Sequence, residues 1–157
     1  MSDPTVNHAT FVIERSYPVA PDKVFAAFAD PAKKRSWYAE ERNSTIEEYK
    51  TDFRVGGHDR TLFRWGDGTP FPGQAMVNET VYQDIVPGRR IVFAYTMALE
   101  GRVFSASLST VELMASGDGT QLVFTEQAAF FEGSDGPKMR VEGWAQLLGN
   151  LARELAA

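Results

Sequence analysis

Residues 121–157 read QLVFTEQAAFFEGSDGPKMRVEGWAQLLGNLARELAA. The run over residues 122–131 is rich in β-branched and aromatic side chains, which is typical of a strand. After a loop, Pro137 suits the first turn of a helix, where its missing N–H costs nothing. Apolar residues then recur at spacings of three and four, which places them on one helix face: Val141, Trp144, Leu148, Leu151 and Leu155. The segment therefore predicts a strand followed by one long amphipathic helix.

The chain before this segment reads mostly as strands. We predict two short helices over residues 21–28 and 32–37, and a set of strands over residues 9–17, 45–50, 60–65, 74–86, 90–99 and 102–114. Turn pairs such as Pro87-Gly88 and Glu100-Gly101 separate the later strands, so neighbouring strands form hairpins and the sheet is antiparallel. A strand of about ten residues spans roughly 33 Å, close to the roughly 28 Å of a nineteen-residue helix.

These lengths predict an α+β helix-grip fold. We expect a curved antiparallel β-sheet of about six to seven strands, wrapped around the long C-terminal helix, with two short helices after the first strand. At 157 residues the chain forms a single domain, residues 1–157. A curled sheet over one helix can leave a cavity, and a binding pocket is therefore the first functional expectation.

Composition excludes several classes of function. The chain has no cysteine, so it has no disulfide, thiol nucleophile or cysteine-based metal site. Its net charge of −5 argues against a nucleic-acid surface. The first residues lack the basic and apolar regions of a signal peptide, and no apolar run is long enough to span a bilayer. We expect a cytoplasmic protein with no membrane insertion.

The order of elements resembles the START/Bet v 1-like (SRPBCC) superfamily, in particular the branch related to the C-terminal domain of the activator of Hsp90 ATPase. The resembling pieces occur in order along nearly the whole chain: PDKVF at 21–25, DP at 30–31, FRVGG at 53–57, YQDIVP at 82–87, RIVFAY at 90–95, SLSTVEL at 107–113, GTQL at 119–122, TEQ at 125–127, GW at 143–144 and LL at 147–148. The resemblance implies a ligand-holding cavity between sheet and helix. It does not imply one chemistry, because members include lipid carriers, cyclases and co-chaperone domains.

The two histidines do not suggest a metal site. His8 lies near a terminus and His58 in an expected turn, and two isolated histidines without cysteine do not make a metal centre. No nucleophile elbow accompanies them. We expect no metal and no organic cofactor.

Aromatic residues give the clearest signal for a pocket. Period two places Phe93 and Tyr95 on one face of their strand, and likewise Phe63 and Trp65. Ordinary core packing is the alternative for each of them. Buried Tyr and Trp need partners for their polar atoms, so a set this large is costly unless part of it lines a partly hydrated pocket. The predicted apolar wall consists of Phe63, Trp65, Tyr82, Phe93, Tyr95 and Trp144.

Glu126 is the first polar candidate, because it shares parity with the apolar Leu122 and Phe124. If it faces inward, burial raises its pKa unless it is paired, and it could anchor a ligand or act as a general acid. In the alternative, the strand twists and Glu126 reaches solvent or pairs with Arg102 or Arg140. Ser107 is the second polar candidate, with a sheet hydroxyl bonded to its neighbours as the alternative.

The sequence thus predicts non-covalent binding of a small hydrophobic or aromatic ligand, with no catalytic residue marked by a motif. One alternative is a cyclase- or hydrolase-like enzyme that uses Glu126 as acid or base and Tyr95 to orient the substrate. Another is a co-chaperone-type partner-binding domain. We do not expect Hsp90 as partner, because the chain leaves no room for the second domain of such activators. A homodimer is left open, and Gly143 is expected to permit close approach of a strand.

Overall fold

The computed structural model describes residues 5–40 and 43–157. Seven strands form one antiparallel sheet in the order β1-β7-β6-β5-β4-β3-β2. The elements in chain order are β1 (Asn7–Tyr17), α1 (Pro21–Ala29), α2 (Pro31–Lys34), a π-helical turn (Arg35–Ala39), β2 (Ser44–Lys50), β3 (His58–Trp65), β4 (Ala75–Val86), β5 (Arg90–Leu99), β6 (Arg102–Ser116), β7 (Gly119–Phe130) and α3 (Gly136–Ala156). The predicted α+β helix-grip architecture is confirmed.

Tight turns set the register of the sheet. Between β5 and β6, both Glu100 and Gly101 have positive φ, at 50° and 81°. Two consecutive positive φ values are characteristic of a type I′ turn, whose twist suits an antiparallel hairpin. The resulting register pairs Tyr95 of β5 with Ser107 of β6, and Ser109 of β6 with Glu126 of β7.

The second short helix is confirmed, but it changes character along its length. Asp30 caps α2, because its Oδ1 accepts hydrogen bonds from the backbone N–H groups of Ala32 and Lys33 at 2.9 and 3.2 Å. After Lys34 the chain widens into the π-helical turn. Such turns are rare in proteins, and those that occur are frequently found at functional sites. This one brings the Tyr38 ring to 6.2 Å from the Trp144 ring of α3.

The main core lies between the sheet and the apolar stripe of α3. Trp144, Leu148 and Leu151 are buried, as their spacing predicts. The Trp144 ring packs 4.3 Å, centroid to centroid, from that of Phe124 on β7. A smaller cluster of Phe63, Met76 and Phe104 forms the core at another part of the sheet.

Two local expectations were wrong. His58 is the exposed first residue of β3, not part of a turn. A Cβ added to Gly143 would meet no atom within 4 Å, so this glycine does not permit close approach of a strand. Residues 1–4, on which the expectation about a signal peptide rests, lie outside the described residues. Across the described ranges, no helix has both the length and the apolar character needed to cross a membrane.

Candidate functional site

A cavity of about 230 Å³ lies between α3, the π-helical turn and the inner face of the sheet. This volume lies somewhat below the roughly 300–1,000 Å³ of typical small-molecule sites. Most of its wall is apolar, and the principal side chains are those of Phe63, Trp65, Met76, Met97, Phe104 and Trp144. Polar groups enter the wall from Tyr38, Thr61, Asn78, Tyr95, Asp135, Arg140 and Gln146.

The sequence-predicted wall is divided between cavity and solid core. Phe63, Trp65, Tyr95 and Trp144 line the cavity. Phe93 is buried, and its ring packs against Tyr82, Tyr95 and Trp144. The predicted residues that are buried but do not line the cavity are Tyr82, Phe93, Ser107 and Glu126.

Glu126 lies behind the cavity wall, in contact with a side chain that forms it. It is 0 % exposed, so the parity prediction of an inward side chain is correct. The Tyr95 hydroxyl donates to Glu126 Oε1 at 2.7 Å, and Ser109 Oγ donates to the same oxygen at 2.9 Å. The other oxygen, Oε2, has no hydrogen-bond partner among the described residues. Arg140 Nη1 is 3.6 Å from it, which is an ion-pair contact without a hydrogen bond.

Arg140 reaches this cluster from α3 with all of its donors in use. Its Nε and Nη2 donate to the two carboxylate oxygens of Asp135, at 2.8 and 2.9 Å. Nη2 also donates to Ser105 at 2.8 Å, and Nη1 donates to Tyr95 Oη at 3.0 Å and to Ser107 Oγ at 3.3 Å. A guanidinium has five N–H donors, and each has a protein acceptor here. The Ser107 hydroxyl thus accepts from Arg140 of α3 and does not line the cavity.

The pKa values of Glu126 and Tyr95 depend on burial and on how these hydrogen bonds and charges are arranged. Burial raises the pKa of Glu126, and the hydrogen bonds from Tyr95 and Ser109 together with the Arg140 charge only partly oppose it. Burial also raises the pKa of Tyr95, and the adjacent Glu126 raises it further. Tyr95 therefore stays protonated, and its oxygen accepts from Arg140 and from Trp144 Nε1, the latter at 3.1 Å.

A second buried ion pair connects α2 to the sheet. Lys34 Nζ donates to Asp59 Oδ2 at 2.9 Å and to Tyr82 Oη at 2.8 Å, and the Tyr82 hydroxyl donates to Asp59. The other carboxylate oxygen accepts from Thr51 at 2.5 Å and from the backbone N–H of Asp52 at 3.2 Å. Burial alone would raise the pKa of Asp59, but the Lys34 charge and these hydrogen bonds outweigh it and lower the pKa.

Unpaired polar atoms remain in residues of the cavity wall. Within the described part of the chain, Asn78 Oδ1 and Trp65 Nε1 are buried and have no hydrogen-bond partner. The Asn78 amide nitrogen donates to Tyr38 Oη at 3.5 Å. Burial raises the pKa of Tyr38 to about 12, so its hydroxyl remains a donor at neutral pH.

The sequence analysis did not identify Asn78 and Tyr38 as residues of the cavity. Asn78 shares parity with the buried Met76 on β4, so its inward orientation could have been found from the period of two. Tyr38 could not, because its position depends on the π-helical turn. Within residues 5–40 and 43–157, no group of three or more histidine and acidic side chains could hold a metal ion.

The family model described as "Activator of Hsp90 ATPase homolog 1-like protein" matches residues 18–156. No protein with a curated description matches the chain.

Solved structures of similar proteins extend over nearly the whole chain. The Mll3558 protein of Rhizobium loti is 48% identical, with a TM-score of 0.85, over 96% of this chain and 99% of that one. A Rhizobium leguminosarum protein is 38% identical, with a TM-score of 0.89, over 96% of each chain. The CV1439 protein of Chromobacterium violaceum is 25% identical, with a TM-score of 0.76, over 94% of this chain and 97% of that one.

Proposed function

Because the chain belongs to the family of Activator of Hsp90 ATPase homolog 1-like proteins, we propose that it binds a small hydrophobic or aromatic ligand, non-covalently, in the cavity between sheet and C-terminal helix. Proteins of this fold commonly bind hydrophobic ligands. The observation that carries the proposal is the cavity of about 230 Å³, whose wall is formed mainly by aromatic and thioether side chains. Apolar walls with a few fixed polar groups are typical of small-molecule sites.

The rings on the wall favour an aromatic ligand. Trp144 lies at the centre of an aromatic cluster, 6.2 Å from Tyr38 and 6.4 Å from Tyr95 between ring centroids. Met97 adds a polarizable thioether to the same wall. Aromatic pairs and sulfur–aromatic contacts both add attraction beyond the area that they bury.

Two glycines of α3 allow a matched test. At Gly143 and Gly149 an added Cβ meets no atom within 4 Å, but only Gly143 lines the cavity. Gly149 lines a neighbouring polar groove. Each Gly→Leu change gains up to about 1 kcal/mol of helix propensity, so neither variant should lose the fold.

Toluene is a suitable probe, with binding followed by thermal shift and by NMR titration of backbone amides. We expect toluene to bind the natural protein and Gly149→Leu, and to raise their melting temperatures. Stabilisation reaches about 2.7 kcal/mol at a hundred times the dissociation constant. Gly143→Leu should weaken binding strongly. Equal binding by both variants, or no binding to the natural protein, would contradict the proposal.

Acid–base chemistry is the second candidate, and one contact favours it. Glu126 has a raised pKa and accepts a hydrogen bond from Tyr95, whose ring lines the cavity. A proton from Glu126 would have to pass through the Tyr95 hydroxyl. That hydroxyl already donates once and accepts twice, from Arg140 and Trp144. We therefore rank binding above catalysis. Turnover that Glu126→Gln abolishes while binding is retained would reverse the order.

A further inference from the structure

Asn78, a residue of the cavity wall, carries a polar atom that the protein itself leaves unpaired. Asn78 Oδ1 is buried and has no hydrogen-bond partner among the described residues. An unpaired buried amide oxygen carries a desolvation cost of roughly 1–3 kcal/mol. A ligand that donates to this oxygen would remove that cost.

Tyr38 completes this site from the other side. Its hydroxyl accepts from the Asn78 amide nitrogen at 3.5 Å, and no acceptor for its own proton occurs within the described ranges. If the Asn78 amide is rotated by half a turn, its oxygen meets Tyr38 and its nitrogen is left unpaired. In the first orientation the pair offers one free acceptor, Asn78 Oδ1, and one free donor, the Tyr38 hydroxyl. After the rotation it offers two free donors, the N–H groups of the Asn78 amide. A ligand hydroxyl satisfies either arrangement, because it can donate and accept.

The charged part of the cavity wall does not offer an anion site. Arg140 lines the cavity, but all five of its N–H donors are used by protein acceptors. Asp135 lies beside it on the same wall, and Glu126 lies behind Tyr95. A ligand carboxylate placed against Arg140 would find none of its donors free and would lie beside the Asp135 carboxylate.

We propose that the ligand of the cavity is an uncharged phenol or aromatic alcohol, whose hydroxyl binds between Tyr38 and Asn78 while its ring packs against Trp144 and Met97. This inference rests on the proposed function, since it names the class of ligand for the same cavity. Trp65 Nε1 is a second unpaired atom, but Trp65 also borders the neighbouring polar groove, so the proposal does not depend on it.

Three probes with the same methyl-substituted ring test the inference: toluene, p-cresol and p-toluate. Their dissociation constants are measured by NMR titration of the full chain. We expect p-cresol to bind about tenfold more tightly than toluene, in line with one to two hydrogen bonds to buried partners. We expect p-toluate to bind more weakly than toluene.

Variants then locate the hydroxyl. Tyr38→Phe removes only the hydroxyl, and Asn78→Leu replaces the amide by an apolar group of similar size. In both variants the preference for p-cresol should disappear or reverse, because an unpaired ligand hydroxyl pays its desolvation. Tyr49→Phe is the matched control, since it removes a buried, unpaired tyrosine hydroxyl from a residue that does not line the cavity. It should keep the tenfold preference.

Each outcome separates the inference from the proposed function. Equal binding of toluene and p-cresol overturns the inference and leaves the function standing, and so does a preference that persists in Tyr38→Phe. Tightest binding of p-toluate overturns the inference in favour of an anion site at Arg140. Failure of all three probes to bind overturns the proposed function itself. If Asn78→Leu does not fold, Tyr38→Phe still decides the question.

Discussion

Glu126 on β7 and Asp59 on β3 are both buried carboxylates, at 0 % and 6 % exposure, and each has a cation beside it. Their pKa values nevertheless shift in opposite directions. Asp59 has the Lys34 ammonium at 2.9 Å, and both of its oxygens accept hydrogen bonds. Glu126 has only one oxygen bonded, because Arg140 Nη1, which lies 3.6 Å from the other oxygen, donates to Tyr95 and Ser107 instead.

The difference follows from the distance of the cation together with the number of donors. At Asp59 the nearby Lys34 charge and the hydrogen bonds to both oxygens outweigh burial, so the ionised form is stabilised. At Glu126 burial prevails, although an arginine lies 3.6 Å away. The sequence left both outcomes open for Glu126, and only the allocation of the Arg140 donors distinguishes them.

Of the substitutions that test this comparison, we expect Lys34→Met to cause the largest loss of stability. It leaves the Asp59 charge buried without its partner, which costs about 3–5 kcal/mol of unfolding free energy. Urea denaturation at pH 7 measures it. Lys33→Met is the control, because Lys33 is the exposed neighbour on α2, and it should change stability by less than about 0.5 kcal/mol. A loss below about 1 kcal/mol in Lys34→Met would show that Asp59 does not depend on Lys34.

Amide substitutions should affect the two acids unequally. Asp59→Asn removes the charge that Lys34 needs and should cost more than about 2 kcal/mol at pH 7. Glu126→Gln keeps the bonds from Tyr95 and Ser109 and removes a charge that burial disfavours, so it should change stability by less than about 1 kcal/mol. Equal losses in the two variants would contradict the opposite pKa directions.

The pH dependence of stability gives a smaller but more specific effect. The folded-state pKa of Glu126 is raised above its ordinary value of 4.5. Its contribution to stability is therefore full below that value and is lost as pH rises through the folded-state pKa. The pKa of Asp59 is lowered below its ordinary value of 3.8, so its contribution is present above that value and is lost as pH falls.

Denaturant titrations from acidic to neutral pH measure these two contributions as differences from Glu126→Gln and Asp59→Asn. The stability advantage of the natural protein over Glu126→Gln should shrink toward higher pH. Its advantage over Asp59→Asn should shrink toward lower pH. The same slope for both differences would refute the comparison.

Much of the fold could be predicted from periodicity. The stripe on α3 predicts which of its residues are buried, and the turn pairs predict the hairpins. Parity correctly turns Glu126 inward. It does not tell how deep an inward side chain lies, which is why Tyr82 and Phe93 belong to solid core while Phe63 borders the cavity. That distinction depends on the curvature of the sheet and on where α3 crosses it.

Local backbone geometry was harder to predict. The π-helical turn has no clear periodic signature, so Tyr38 could not be assigned to the cavity. Gly143 was misinterpreted because a glycine within a helix usually signals close packing, whereas here it borders open space.

A crystal structure of the protein saturated with p-cresol would show directly where the ligand binds. We expect the ring inside the cavity, in contact with Trp144 and Met97. We also expect the hydroxyl within hydrogen-bond distance of Tyr38 Oη and of the Asn78 side-chain amide. An empty cavity, or a ring bound only in the polar groove beside Asn150 and Arg153, would contradict this prediction.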